Sequence, residues 1–301
     1  SGRPGMMPLR IDVPWLRFSI PAQAEGQTIA ELLAPWGCSK AARYKLEIER
    51  KITLNGQPVR QRAKVKVGDE LALKVFQQEE PDFVPWTIPI RILYEDELIL
   101  AVSKPAGMIV HPDEKGKTGT LANAVAAYYL RTGQHCTVRP IHRLDEGTSG
   151  IVLFSKCPFF QPKLDQALAQ KQIARTYLAV VSGVMKPKDR LTLDKPIGRD
   201  RHNAKAYRIS PTGKPAVTHV EVLRCRQKEK QTLVRCQLET GRTHQIRVHL
   251  ASIQRPIVND PLYNPRPVQG RMKLHAWKCG WSDLVSGRRV EITDEPENEF
   301  W

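Results

Sequence analysis

The stretch Arg139-Pro-Ile-His-Arg-Leu-Asp-Glu-Gly-Thr-Ser-Gly150 runs directly into the apolar segment Ile151-Val-Leu-Phe154. A charged loop that ends in a Thr-Ser-Gly turn and is followed by a continuous apolar run reads as a loop leading into a strand. Asp145 lies two residues after Arg143, and on an extended chain such neighbours share a face. A cation so placed favours an ionised carboxylate, and the ionised form is the one that acts as a nucleophile. The same Arg-x-Asp pattern also occurs as a plain surface ion pair beside a strand, so spacing alone leaves both readings open.

The 301-residue chain is long enough for one large or two modest domains with a real core, and its 41% hydrophobic content is that of a folded protein. No apolar run approaches the roughly 18 residues of a membrane helix, and no segment has the layout of a secretory signal. Ser1-Gly-Arg-Pro-Gly5, ahead of Met6 and Met7, reads as a cloning remnant. The net charge of +16 and pI near 9.7 point to a polyanionic partner. The excess is uneven, with 14 Lys/Arg against 4 Asp/Glu in residues 195–255. The six cysteines have no zinc-like spacing and read as reduced thiols in a cytoplasmic protein, and His244 and His249 fit no metal site. The expectation is therefore a monomer with no metal, no membrane contact and RNA as its partner.

Four parts follow from the punctuation: an extension over 1–21, a small module over 22–76, a proline-rich linker over 77–90, and a larger domain over 91–301. In the module, Thr28 caps a helix over residues 28–33 and a basic helix covers Lys40 to Arg50. Ile52-Thr-Leu-Asn-Gly-Gln-Pro-Val59 reads as strand, turn, strand, and Gly68-Asp69 turns into a further strand. This order resembles the small RNA-binding module named after a small-subunit ribosomal protein. In the larger domain, Ile92–Val102 reads as two strands around an acidic turn, followed by a helix over Leu121–Arg131 ended by Gly133. Further strands are expected at Ile151–Phe154, Thr176–Val181, Ala216–Leu223 and Leu233–Leu238, with helices at Pro162–Gln170 and Thr243–Ala251. The fold class is α+β: a mixed, largely antiparallel sheet with flanking helices, preceded by a small α/β module.

Three more segments carry chemistry-bearing residues. Ala174-Arg-Thr-Tyr-Leu-Ala-Val-Val-Ser-Gly183 puts Tyr177 at the start of an apolar strand. Glu239-Thr-Gly-Arg-Thr-His-Gln-Ile-Arg-Val-His-Leu250 puts Arg242 after a glycine turn, where it could meet phosphate or carboxylate, with Thr243 as helix cap. Met272-Lys-Leu-His-Ala276 holds Leu274, by default a core residue. Two patterns fail: Glu114-Lys-Gly-Lys-Thr-Gly119 lacks the first glycine of a phosphate loop, and Ser149 lacks a hydrolase elbow.

Taken in order, these four segments resemble the motifs of the RluA-type RNA pseudouridine synthases over residues 91 to about 285. The resemblance implies an isomerase that detaches uracil, rotates it and rejoins it through carbon 5, with no cofactor. It implies Asp145 as the catalytic aspartate, Arg242 as its partner and Tyr177 as the residue assisting proton loss. Arg143 would fill the gap left by a flipped base, Leu274 would pack against that base, and His142 would position the loop. Thr148 belongs with them as an RNA- or base-contacting residue, and Arg247 would brace the fold or meet backbone phosphate. Ribosomal RNA is the favoured substrate and transfer RNA the alternative. A non-catalytic RNA-binding or ribosome-assembly factor would share the charge and the front module but has no need of the Asp145, Tyr177 and Arg242 set. Glycoside hydrolysis would require paired carboxylates, and Glu146, next to Asp145, points to the other face of a strand.

Overall fold

Alternating apolar residues build the first sheet of the computed structural model, which describes residues 9–76, 82–112 and 118–301. This unit comprises β1 (Leu9–Asp12), β2 (Trp15–Ser19), α1 (Ile29–Leu33), α2 (Lys40–Ile48), β3 (Ile52–Leu54), β4 (Gln57–Pro58) and β5 (Glu70–Lys74). The strands form one antiparallel sheet in the order β1-β2-β5-β3-β4. Thr28 caps α1 by accepting the Glu31 amide hydrogen at 3.1 Å. Asn55 and Gly56 take φ of 51° and 83°, the positive values that a two-residue hairpin turn requires. Asn55 also binds the neighbouring turn, donating to Asp69 at 3.0 Å and accepting from the Glu70 amide at 2.9 Å.

Residues 9–19, assigned by sequence to an extension, supply two of the five strands. The reason is visible in β2, where Leu16 and Phe18 face inward while Trp15 and Arg17 stay partly exposed. Nor does the unit stand apart. Its core runs on into Leu98, Ile151, Phe160, Leu164 and Trp281 of the larger domain. Trp36 is the joint: its ring lies 4.7 Å from Phe18 and 6.0 Å from Phe160, and its indole N–H donates to the Val285 carbonyl at 3.2 Å. The proline-rich stretch is strapped down where it is described. Asn123 donates to the Val84 carbonyl at 2.8 Å, and its own carbonyl accepts from the Trp86 amide. Residues 77–81 of the expected linker, Ser1–Gly5 and most of the Glu114–Gly119 segment lie outside the described residues.

The larger domain begins with β6 (Arg91–Glu95), β7 (Ile99–Lys104), α3 (Leu121–Arg131), β8 (Arg139–Pro140), β9 (Ser149–Ser155) and α4 (Gln161–Ala169). It continues through β10 (Ala174–Ser182), β11 (Arg190–Leu193), β12 (Ile197–Arg199), β13 (Tyr207–Ile209), β14 (Thr218–Arg226) and β15 (Gln231–Leu238). It ends with α5 (Gln245–Ser252), β16 (Leu274–Ser282) and β17 (Arg289–Thr293). The main sheet runs β11-β14-β15-β10-β16-β9-β7-β6, with β17 on β16 and β8 on β9, while β12 and β13 form a separate hairpin. Among the described residues its single parallel pair is β9 with β16. That pair lies in the interior of the sheet, and in it Gly150, at φ 113°, is registered with Ala276. A side-chain carbon at Gly150 would sit 2.2 Å from the Ala276 carbonyl oxygen, so the last glycine of the loop motif is demanded by packing.

Helix α3 covers the sheet with Leu121, Val125 and Tyr129 on Val102, Val152 and Phe154. Leu144, Tyr177 and Leu274 belong to the same apolar cluster and also border the site. The cysteines are free thiols, and burial pushes those of Cys157, Cys236 and Cys279 up to about 12. No helix among the described residues is long and apolar enough to cross a membrane.

Candidate active site

The loop between β8 and β9 holds its carboxylate rigidly. The Thr148 amide donates to the Asp145 carbonyl at 3.0 Å, closing a turn, and the Gly107 amide donates to the Glu146 carbonyl at 2.8 Å. Lys104 lies fully buried beneath it. Its ammonium donates to the carbonyls of Met108, Pro105 and Glu146 at 2.5, 2.9 and 3.1 Å, using three donors on three acceptors. Burial pushes this ammonium down to about 7, against the pull of Asp145. Thr148 is buried with its hydroxyl unpartnered.

His142 anchors the other side of the loop, its Nε2 accepting the Leu153 amide hydrogen at 3.2 Å. Burial pushes its imidazole down to about 3, with Arg175 adding to the effect. An unfolded imidazole titrates near 6.5. Between those values the unfolded chain holds the extra proton, so stability falls as pH drops from 6.5 toward 3, by at most about 1.4 kcal/mol per pH unit. Denaturant unfolding at about pH 6.5 and about pH 4.5 checks this, with a flatter dependence expected in His142→Gln. Equal slopes in parent and variant would remove His142 as the source.

Asp145 does not meet Arg242. Its Oδ2 accepts from Nη1 of Arg247 at 3.1 Å. Nε and Nη2 of the same guanidinium donate to the two oxygens of Asp260 at 2.9 and 2.7 Å. Asp260 is fully buried and also accepts the Leu262 amide hydrogen at 2.9 Å. Burial works against the Arg247 charge, but Asp260 and then Asp145 hold its pKa above the ordinary value. The Tyr263 ring lies 5.1 Å from the guanidinium. The Tyr263 hydroxyl sits 2.7 Å from Nδ1 of His244, whose Nε2 is 3.9 Å from Oδ1 of Asp145. Burial pushes the His244 imidazole down, while Asp145 pulls it up.

The displaced partner follows from where α5 starts. His244, at φ 57°, precedes the first helical residue in place of Thr243, so Arg247 falls in the first turn on the buried face. Arg242 stays ahead of the helix, its Nε donating to the Pro215 carbonyl at 2.7 Å.

These groups floor a cleft of about 1480 Å³. Tyr177 on β10 and Leu274 on the neighbouring β16, two register positions apart, are buried walls of the cleft, and Arg143 stands exposed at the rim. Burial raises the Tyr177 phenol, and the guanidinium of Arg175 beside it pulls the other way. Arg175 fits closely: a side-chain carbon at Gly241 would lie 2.9 Å from its Nη2. Six Lys/Arg line the cleft against three carboxylates, a balance that suits a polyanion. Of the residues picked from sequence, the structure gathers Asp145, Tyr177, Leu274, Arg247, Arg143, His142 and Thr148 here, with Arg242 at one edge. Sequence reading missed Lys104, Arg175, His244, Asp260 and Tyr263. His244 and Arg175 lay inside quoted motifs, whereas no local pattern marks the Asn259-Asp260-Pro261 turn. Among the described residues no group of three or more His, Cys, Asp or Glu could hold a metal ion.

Comparison with known proteins agrees with this architecture. The family described as RNA pseudouridylate synthase matches residues 98–252, and the RluD ribosomal pseudouridine synthase N-terminal domain matches residues 16–71. The chain therefore belongs to the RNA pseudouridine synthases, a family of isomerases. The uncharacterized RNA pseudouridine synthase YhcT of Bacillus subtilis is 43% identical over 230 residues, 76% of each chain. Ribosomal large subunit pseudouridine synthase D of Escherichia coli is 36% identical over 281 residues, 88% of this chain and 84% of that one. The solved human RNA pseudouridylate synthase domain containing 1 superposes with a TM-score of 0.57 at 25% identity, covering 70% of this chain and 86% of that chain.

Proposed function

We propose that this protein converts uridine to pseudouridine in large-subunit ribosomal RNA, with Asp145 as the reacting carboxylate. The observation that carries the reading is Asp145 itself: it is held by Arg247 on the floor of a basic cleft whose walls are Tyr177 and Leu274. The relative named for the ribosomal large subunit supports the choice of RNA. The reading includes a monomeric enzyme working in the cytoplasm.

A uridine reaches the cleft by leaving its stack, which takes a few kcal/mol. Phosphate contacts along the basic surface offset that, and Arg143 fills the gap left behind. The base lies between Tyr177 and Leu274. Asp145 attacks the anomeric carbon or otherwise promotes loss of its bond to nitrogen 1. The freed uracil turns and bonds through carbon 5, which then gives up its proton while nitrogen 1 gains one, so atoms balance. Tyr177 starts as a neutral phenol, and Arg175 is the group that would stabilise it on giving up a proton.

Tritium release from RNA labelled at carbon 5 of uridine tests the proposal. Release from deproteinised large-subunit ribosomal RNA is expected. Release from transfer RNA alone would overturn the substrate, and release from neither would overturn the activity.

A further inference from the structure

Arg242 lacks the carboxylate that the motif assigned to it, and a second pocket explains its orientation. A cavity of about 530 Å³ opens between the β12–β13 hairpin, the 212–214 turn and the segment leading into α5. Arg199, Lys214 and Arg242 line it together with Thr212 and Thr243, and no carboxylate does. Arg199, Tyr207, Gly241, Arg242 and Thr243 line both this pocket and the main cleft, so the two spaces adjoin.

The charges here are uncompensated. The Arg242 Nε donates to the Pro215 carbonyl, and its two Nη groups have no partner among the described residues. Arg199 lies 5.6 Å over the Tyr207 ring, and Lys214 is exposed. None of the three forms an ion pair among the described residues, in contrast to Arg247, Arg235 and Arg17. Three like charges around one concave space repel each other until an anion enters. A basic surface without a cavity would be merely solvated. This one is concave and free of carboxylates, and it borders the cleft.

We infer that this pocket takes a backbone phosphodiester of the RNA flanking the uridine in the main cleft, with Arg242 and Arg199 as the cations that border both spaces. The inference rests on the reading of the cleft as a uridine site. Arg242 then positions RNA and carries no sequence information. The Pro215 carbonyl orients its fork, which suits the oxygens of a phosphodiester better than a point ammonium would.

The test is binding of a labelled oligouridine, followed by fluorescence anisotropy across a salt series, in the parent, Arg242→Ala, Lys214→Ala and Asp145→Asn. Each lost phosphate contact should flatten the plot of log affinity against log salt by about 0.7. That flattening is expected in Arg242→Ala and in the exposed Lys214→Ala, and not in Asp145→Asn. In tritium release, the loss in Arg242→Ala should fall on KM, by about tenfold, and not on kcat. Unchanged salt slopes in both Arg242→Ala and Lys214→Ala would overturn the inference, as would a loss in Arg242→Ala confined to kcat. A parent that releases no tritium from any RNA, with the slopes changing as described, would defeat the proposed activity and leave the phosphate pocket standing.

Discussion

Asp145→Asn is expected to abolish tritium release, by roughly a thousandfold or more, which corresponds to at least about 4 kcal/mol of transition-state stabilisation. The amide keeps the shape of the carboxylate and an oxygen that accepts from Arg247. It lacks the charge and the nucleophilicity that attack at an anomeric carbon demands. The fold should persist, because Arg247 keeps both bonds to Asp260 and the loop keeps its backbone bonds through Thr148 and Gly107. RNA affinity should therefore stay close to that of the parent, since the proposed phosphate contacts involve other residues. Single-turnover release, read beside a thermal melt and an RNA-binding curve, separates these effects. Near-parent turnover in a folded, RNA-binding Asp145→Asn would show that the reacting group has been misassigned.

Local pattern carried much of the architecture. The cap at Thr28, the Asn55-Gly56 turn and the exact span of the helix Leu121–Arg131 all depend on interactions within a few residues. What escaped depends on partners far along the chain. Strand β1 is short and only half-buried, and it becomes a strand through β2. Strand β16 begins at Leu274, which motif reading treated as an isolated apolar contact. It is in fact the strand that lines up Leu274 opposite Ala179 and Ala276 opposite Tyr177. The same holds for the joint between the two units, where Trp36 is anchored by a carbonyl 249 residues away.

The site shows the same division. Asp145, Tyr177 and Leu274 were legible because each sits in a compact pattern of its own. The partner of Asp145 was not, because two arginines five residues apart compete for the role and the choice turns on where one helix begins. A helix turns about 100° per residue, so moving the cap from Thr243 to His244 changes which side chain faces inward. Asp260 and Lys104 were invisible for another reason. An aspartate before a proline and a lysine before a proline look like ordinary turn residues until burial is known. Burial is what makes them consequential, since a buried charge persists only with partners that satisfy it.

Arg247 is the second position with a large expected effect, on stability as well as on turnover. Arg247→Met would leave Asp260, fully buried, without its cation, and Asp145 without its own. Breaking a buried pair in this way costs about 3–5 kcal/mol, enough to lower the melting temperature by roughly 5–8 °C in a chain of this size. The penalty comes from the stranded charge more than from the lost attraction. Arg247→Met combined with Asp260→Asn should therefore melt higher than Arg247→Met alone, the amide oxygen still accepting the Leu262 amide hydrogen. Turnover should return in neither, because the Asp145 carboxylate then lacks its arginine partner. Arg247→Lys keeps a charge but cannot make two parallel bonds to Asp260 and a third to Asp145, so it should fall between parent and Arg247→Met in both measurements. If the double variant melts no higher than Arg247→Met, stranded charge is not what destabilises the single variant. If Arg247→Met turns over like the parent, the ion pair to Asp145 has no part in the chemistry.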